Sequence, residues 1–528
     1  MSFSLTASNP TVVKTSKGED KIICVEFKVP EYNRDASFSL AKYSFRAKSE
    51  NPDIDEGWIV YRNDESFLTV GKGYVVVKGK YCGICSTDLA RRFLPFELPQ
   101  IIGHEAVAIH QSKPVVIEIN ASHFARGITN ESTCPFCNNG LSTQCPDRIT
   151  LGINQQPGGL APYILAPINA IVPIPDNLGL KASILVEPFA AALHAVETTP
   201  PSNGHEVAVL GPRKLGILIL AALYSYRKKY NIDFTTTAIF HKDPPPQPLS
   251  DLAQQFDAQI TTSSSLFPDQ KFDIIFDTTG SPEGFLHAIK LCKKILHLKS
   301  THGREVCGVR RMTDLVVEEF SLLRFEQKSL GFSWPGEILG KRRNPNVFVS
   351  PSVDEKVVKS IKDTGRNVII LEITHALEYV KQWIEQSRSG KIEDENLTKS
   401  PVPRFDLAVV GKIEEVDSII RPNDSEEISI LRPRGAILYA PSLSVKEDNI
   451  SKEMNLLKKA LQEDNIQIWS TRCGNLSNSI EMLSSNENIT KILEEKMISR
   501  EIKLQDIRDG FSLAASENII KVVVDVEC

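Results

Sequence analysis

The sequence predicts an α/β protein of more than one domain, and three observations carry that expectation. The first 195 residues are rich in short strand candidates and turns, with a cluster of cysteines among them. After residue 200, apolar strand candidates alternate with helical segments, the pattern of a parallel sheet covered on both faces. A length of 528 residues suits roughly two to four domains.

The composition narrows the class further. Hydrophobic residues make up 41% and charged residues 24%, as in ordinary globular protein, and the net charge of −5 does not point to a nucleic-acid partner. The most apolar run, Ile217 to Leu223, is too short to cross a bilayer. The N-terminal stretch lacks the apolar core of a secretory signal and has few basic residues, so a cytoplasmic location is expected. There are ten cysteines, and five fall between Cys82 and Cys145. Such clustering in a long chain favours metal binding in a reducing compartment over a disulfide framework.

In chain order, Ile22 to Pro30 reads as a strand ended by its proline. Gly73 to Lys80 is a β-branched strand that leads into Tyr81-Cys82-Gly83-Ile84-Cys85-Ser86-Thr87-Asp88. Pro114 to Ile119, Gly158 to Leu165 and Ala170 to Pro175 continue the strand-rich part, and Leu180 to Glu197 turns helical. Strands follow at Glu206 to Leu210, Thr236 to Phe240 and Phe272 to Asp277. Helices are expected over Lys214 to Lys229, Ser250 to Phe256 and Pro282 to Cys292. From 300 to 430 the pattern is poor. Arg310-Arg311, 341–345 and 391–395 are charged and loop-like, with a strand at Asn367 to Leu371 and a helix at His375 to Gln386. Phe405 to Gly411 echoes Phe272 to Gly280, too briefly to define a repeat. Ile428 to Leu438 is a strand, Lys452 to Asp464 a helix, and Asn518 to Val526 a strand expected to close the first sheet.

Cys85 and His104 each offer an atom that binds Zn²⁺ once deprotonated. Asp88 and Glu105 stand where a carboxylate orients such ligands. On these residues alone, a buried cysteine beside a core histidine is an equal reading. The arrangement Gly83-Ile84-Cys85-Ser86-Thr87-Asp88 followed by Gly103-His104-Glu105 resembles the zinc-binding signature of the medium-chain dehydrogenase/reductase superfamily. Val186-Glu187-Pro188 resembles the Glu-Pro segment of its polyol and sugar dehydrogenase branch.

That resemblance implies a GroES-like β-rich catalytic domain over residues 1–195, completed by about 475–528. It also implies a Rossmann-type doubly wound parallel sheet over 196–474, with an α/β insertion at about 300–430. It assigns Cys85, His104 and Glu187 to a catalytic zinc. Thr87, Asp88 and Glu105 join them as catalytic residues, with Thr87 starting a proton relay. The histidine often found next in that relay is replaced by Ala90. Cys134-x2-Cys137-x7-Cys145 matches three quarters of a structural zinc lobe. Its first ligand position falls on Glu131, with His123 a rival.

Gly211, Arg213 and Gly216 occupy the places of a dinucleotide fingerprint, with Arg213 where the middle glycine is usual. His241 and Lys242 favour the 2′-phosphate of NADP, whereas Asp243 would serve NAD. Thr278 and Gly280 resemble the loop that flanks the nicotinamide. The implied function is hydride transfer between an alcohol, polyol or sugar-like substrate, or its carbonyl form, and NAD or NADP. No membrane partner is expected, and assembly as a homo-oligomer is left open. The alternative is a zinc-stabilised nucleotide-binding or interaction protein that has lost turnover.

Overall fold

The computed structural model describes residues 2–131, 134–265, 267–300, 304–310, 312–334, 345–389, 402–421, 428–441 and 450–527, without the side chains of 131, 388 and 389. Arg311 and the charged stretches at 341–344 and 391–395 lie outside the described residues.

The N-terminal strands form a six-stranded antiparallel sheet between Thr6 and Val70. Its spine is Asp20–Tyr32, paired with Phe38–Ala47 from Cys24↔Arg46 to Tyr32↔Phe38. Pro30 does not end this strand but sits within it, opposite Leu40. On the strand's other edge the pairs lie on either side of it, Lys28 with Thr6 and Tyr32 with Gln100, so the missing N–H of Pro30 falls in a gap of the ladder.

A seven-stranded sheet is built around Tyr74–Gly83. This strand pairs with Glu105–His110 on one side and with the C-terminal Lys521–Asp525 on the other. The latter register sets Val523 against Gly83, Val524 against Cys82 and Asp525 against Tyr81. The strand expected over Asn518 to Val526 therefore closes the sheet that carries the cysteine loop. Its valines are fully buried, which is why a segment 440 residues away in sequence locks in here.

The third sheet has eleven strands. In spatial order the first six are Ala258–Thr262, Thr235–Phe240, Glu206–Leu210, Phe272–Asp277, Cys292–Leu298 and Gln467–Ser470, all parallel. In chain order this is the 3-2-1-4-5-6 arrangement of a Rossmann unit, with its crevice where Glu206–Leu210 meets Phe272–Asp277. Val207, Ala208 and Val209 are all fully buried, as expected of a strand covered on both faces. Helices Val186–Thr198 and Lys214–Tyr230 pack together on this sheet.

The sheet then continues through Ser321–Arg324, Leu431–Tyr439, Phe405–Val410, Asn346–Val349 and Asn367–Ile370. These five are parallel to one another and join the first six through one antiparallel pair, Leu322↔Ile468. The added strands run past residue 430 to Tyr439, and the chain returns to the first half only at Gln467. Four of the five have four to six residues, too few for periodicity to mark them.

Candidate metal centres and cofactor cleft

Gly83 ends the strand that leads into the cysteine loop, and a side chain there has no room: a Cβ would lie 2.1 Å from Glu105 Oε2. Cys85 then caps the short helix Ser86–Leu89. Asp88 ties the two loops together from a buried position. Its Oδ2 accepts from Cys85 N at 2.8 Å, and its Oδ1 accepts from Gly103 N at 3.2 Å. The same Oδ1 lies 3.4 Å from His104 Nδ1, which makes no hydrogen bond. Burial disfavours the His104 imidazolium, but Asp88 and Cys85 outweigh it and lift its pKa well above the usual histidine range. An imidazole held between a thiol and carboxylates is a donor set with surplus negative charge, which suits a dication.

Glu187 comes from the first turn of the Val186–Thr198 helix. Burial pushes its pKa up, His104 pulls it down and Glu105 pushes it up again, so it shares one electrostatic site with both. Cys85, His104 and Glu187 do not close to the 4.8 Å spacing of the second cluster described below. Thr87 Oγ1 lies 3.8 Å from Cys85 Sγ. Cys82 is fully buried, and burial pushes its thiol pKa well up, so it faces away from metal chemistry.

Both oxygens of Glu105 accept from Lys521 Nζ, at 2.7 and 2.6 Å, with both side chains almost wholly buried. Burial lowers the Lys521 pKa, but Glu105 and Cys85 raise it further, so the ammonium stays charged. Sequence reasoning missed Lys521. Its one signal was a lysine inside the otherwise apolar strand Asn518 to Val526.

The second cluster gathers His123, Cys134, Cys137 and Cys145, with all four ligand atoms within 4.8 Å of one another. Cys134 Sγ is 3.8 Å from Cys145 Sγ, and His123 Nδ1 is 3.3 Å from Cys145 Sγ and 3.9 Å from Cys137 Sγ. A tetrahedral ion with bonds of about 2.3 Å to sulfur and about 2.0 Å to nitrogen spaces its ligands about 3.5–3.8 Å apart, so the donors fit zinc. Hydrogen bonds from Cys137 and Cys145 hold the Cys134 thiol far below its usual range, while Cys137 and Cys145 are pushed up in turn. Asp147 Oδ2 stands 3.9 Å from the other nitrogen of His123. The side chain of Glu131 lies outside the described residues. Of the two rivals for the fourth ligand, His123 has its Nδ1 in the cluster.

In the cleft, Gly211 has φ 74° and a Cβ there would lie 2.8 Å from Thr279 Cγ2. A Cβ on Gly216 would lie 2.8 Å from Thr278 Oγ1. The two outer fingerprint glycines thus do what close packing demands. Thr278 Oγ1 donates to the carbonyls of Leu210 and Gly211, at 3.0 and 2.9 Å, and fastens the two loops of the crevice. Gly280 has φ 58° in the same loop. Arg213 is exposed and precedes the Lys214–Tyr230 helix as its cap residue. His241 and Lys242 follow directly on the Thr235–Phe240 strand, and Lys242 is ion-paired to Glu517.

Two further lysines were not foreseen. Burial lowers the Lys214 pKa to about 8, and its Nζ donates to Ala514 O at 3.1 Å. Lys299 also falls to about 8 through burial, with Nζ donating to Thr471 O at 3.1 Å and Thr471 Oγ1 at 3.0 Å. Glu319 was missed as well. It joins His194 Nε2 (3.2 Å), Arg434 Nε (2.7 Å), Arg472 N (2.8 Å) and Gln144 Nε2 (2.8 Å). Burial works against its charge, but Arg434 and His194 outweigh it and hold its carboxyl well below the usual range. The metal helix, the four-ligand lobe, the cleft loop and the added strands meet at this one carboxylate.

The fold and these two donor sets describe an α/β protein with a Rossmann-type sheet and two candidate zinc centres. Residues 71–176 match the alcohol dehydrogenase GroES-like domain. Sorbitol dehydrogenase of Halalkalibacterium halodurans is 31% identical over 28% of this chain and 45% of its own length. L-threonine 3-dehydrogenase of Pectobacterium carotovorum subsp. carotovorum is 24% identical over 45% of this chain and 71% of its own. (R,R)-butanediol dehydrogenase of Bacillus subtilis is 27% identical over 29% and 47%. The chain spans about half the length of most of these curated relatives. The crystal structure of 2R,3R-butanediol dehydrogenase from Bacillus subtilis aligns over 94% of this chain at 15% identity, with a TM-score of 0.46. The chain is thus similar to the alcohol dehydrogenase GroES-like domain over residues 71–176, and the curated relatives it matches are named as dehydrogenases.

Two outcomes test this geometry. Lys521→Met leaves the buried Glu105 unpaired and should cost about 3–5 kcal/mol in urea unfolding. A loss below about 1 kcal/mol would contradict the pairing. His123→Ala should remove about one zinc per chain by elemental analysis and lower the melting temperature, with the thiols becoming accessible to a disulfide reagent. Unchanged zinc content would rule out His123 as a ligand.

Proposed function

We propose that the chain is a zinc-dependent oxidoreductase that moves a hydride between an alcohol, polyol or sugar-like substrate and NAD or NADP. The observation that supports it most is the tie that Asp88 makes between the Cys85 loop and the His104 loop, with the Cys85 thiol acting on Lys214 at the start of the nucleotide helix. The relatives are named as dehydrogenases of small hydroxylated molecules, which does not favour a protein without turnover.

Zinc held by Cys85, His104 and Glu187 would supply Lewis acidity to a substrate oxygen, and the nicotinamide would supply the hydride acceptor. Thr87, beside Cys85, is placed to hold the proton that leaves the substrate hydroxyl. Asp88 fixes the approach of the His104 loop to the Cys85 loop. Lys521 cancels the charge of Glu105, so that carboxylate remains a support and leaves the ligand role to Glu187. Ala90 supplies no side-chain acceptor, so the proton held at Thr87 would leave without a histidine at that position. His123, Cys134, Cys137 and Cys145 would hold a structural zinc that ties the lobe together. No disulfide joins the described cysteines, and a reducing, cytoplasmic setting is part of this proposal. Among the described residues no helix is long and apolar enough to cross a membrane.

Zinc-replete protein should reduce NAD or NADP with at least one member of a panel of polyols, sugars and simple alcohols. Cys85→Ser should lower that rate at least ~1000-fold and release about one zinc, with the fold retained by circular dichroism. Inactivity of the replete protein on the whole panel would favour a binding protein instead.

A further inference from the structure

Five of the first six strands of the eleven-stranded sheet, all but Ala258–Thr262, have a counterpart among the other five. Phe272–Asp277 lies between Glu206–Leu210 and Cys292–Leu298, as Phe405–Val410 lies between Asn346–Val349 and Leu431–Tyr439. The register slips at the same place in both, between Phe272 and Ile274 and between Phe405 and Leu407. The next residue of each strand is an aspartate with the same two tasks. Asp273 accepts from Glu206 N at 2.9 Å and pairs with Lys294 at 3.0 Å. Asp406 accepts from Asn346 N at 2.9 Å and pairs with Arg432 at 2.7 Å. At the far end, Lys299 N donates to Asp277 O and Ala440 N to Val410 O.

The junction is symmetric too. Ile295 aligns with Gln467 in one half and Ala436 with Ser321 in the other, so Ile468 and Leu322 are equivalent positions. These two are the pair that joins the halves, which is the mark of a local two-fold contact. Each half is also completed by the strand that follows the other in sequence. Ser321–Arg324 follows the first half but pairs with Leu431–Tyr439, and Gln467–Ser470 follows the second but pairs with Cys292–Leu298. The last strands are exchanged, as in a domain swap within one chain.

We propose that the added region is a second nucleotide-type unit whose phosphate position is filled by its own carboxylate, Glu415. In this unit the strand order places the ligand crevice between the ends of Asn346–Val349 and Phe405–Val410. Four donors converge there on Glu415. Ser350 Oγ and Ser352 Oγ each donate at 2.6 Å, Gly411 N at 3.2 Å and Lys412 N at 3.1 Å. Hydroxyls and successive backbone N–H groups are the chemistry that cradles a phosphate dianion. A carboxylate tethered in that cradle excludes a free anion, because two negative groups cannot share the same donors. The corresponding crevice of the first unit is lined by Gly211, Thr278 and Thr279, and the carboxylate there, Asp277, accepts only from Thr279, through its N–H at 2.9 Å and its hydroxyl at 2.7 Å. The second unit therefore binds no dinucleotide and serves as a built-in partner for the first.

This inference rests on reading the first unit as the cofactor site, and two titrations of the full chain separate their failures. Wild-type protein should bind one NAD(H) or NADP(H) per chain by equilibrium dialysis. Two per chain would overturn the closed crevice, whereas none would overturn the cofactor reading alone. In Glu415→Ala, isothermal titration with inorganic phosphate should show binding at least ~10-fold tighter than wild type. Equal phosphate affinity in folded variant and wild type would overturn the cradle. Should the variant not fold, the wild-type stoichiometry still decides.

Discussion

The buried ion pair between Glu105 and Lys521 is the constraint on which the seven-stranded sheet and its cysteine loop depend. Two nearly inaccessible charges are kept in an apolar sheet only because they satisfy each other. Closing the pair requires the C-terminal strand to lie beside the strand that feeds the cysteine loop. The same contact sets which carboxylate is available to metal. Glu105 has both oxygens engaged, so the remaining donors at the loop are Cys85 and His104, with Glu187 entering from the adjoining helix.

The cleft is tied together by a second buried carboxylate, Glu319. It and its partner Arg434 both adopt left-handed backbone, at φ 57° and 58°, a conformation that side-chained residues hold only when their surroundings demand it. Through Glu319 the added strands touch His194, seven residues along the helix from Glu187, and Arg472, at the end of the first unit's last strand. The extra region is thus a structural brace against the metal helix and the cleft loop. Val402 buried among Phe136, Leu141 and the lobe cysteines extends the brace to the second metal cluster.

Motifs with local chemistry were legible in the sequence, and pairings across the chain were not. Cys85, Asp88, His104 and the Gly211 turn stand in short segments whose residue types announce their roles. His123 could not be chosen over Glu131, because fourth ligands are set by how a loop folds back. Lys521 and Glu319 were hidden for the same reason: each matters through a partner more than a hundred residues away. The region from 300 onward was unreadable because its strands are short and its equivalence to the first unit is conserved in register and hydrogen bonding more than in residue identity. The echo of Phe272-Asp273 in Phe405-Asp406 was the visible remnant, and its meaning came from the matched aspartate bonds.

The account stands most directly on hydride transfer at the Cys85 site. Zinc-replete protein incubated with a polyol deuterated at its carbinol carbon, and with NAD or NADP, tests it by mass spectrometry of the reduced cofactor. The account predicts one deuterium on the nicotinamide ring of the reduced product, dependent on zinc. Oxidation of substrate with no deuterium in the cofactor would contradict it.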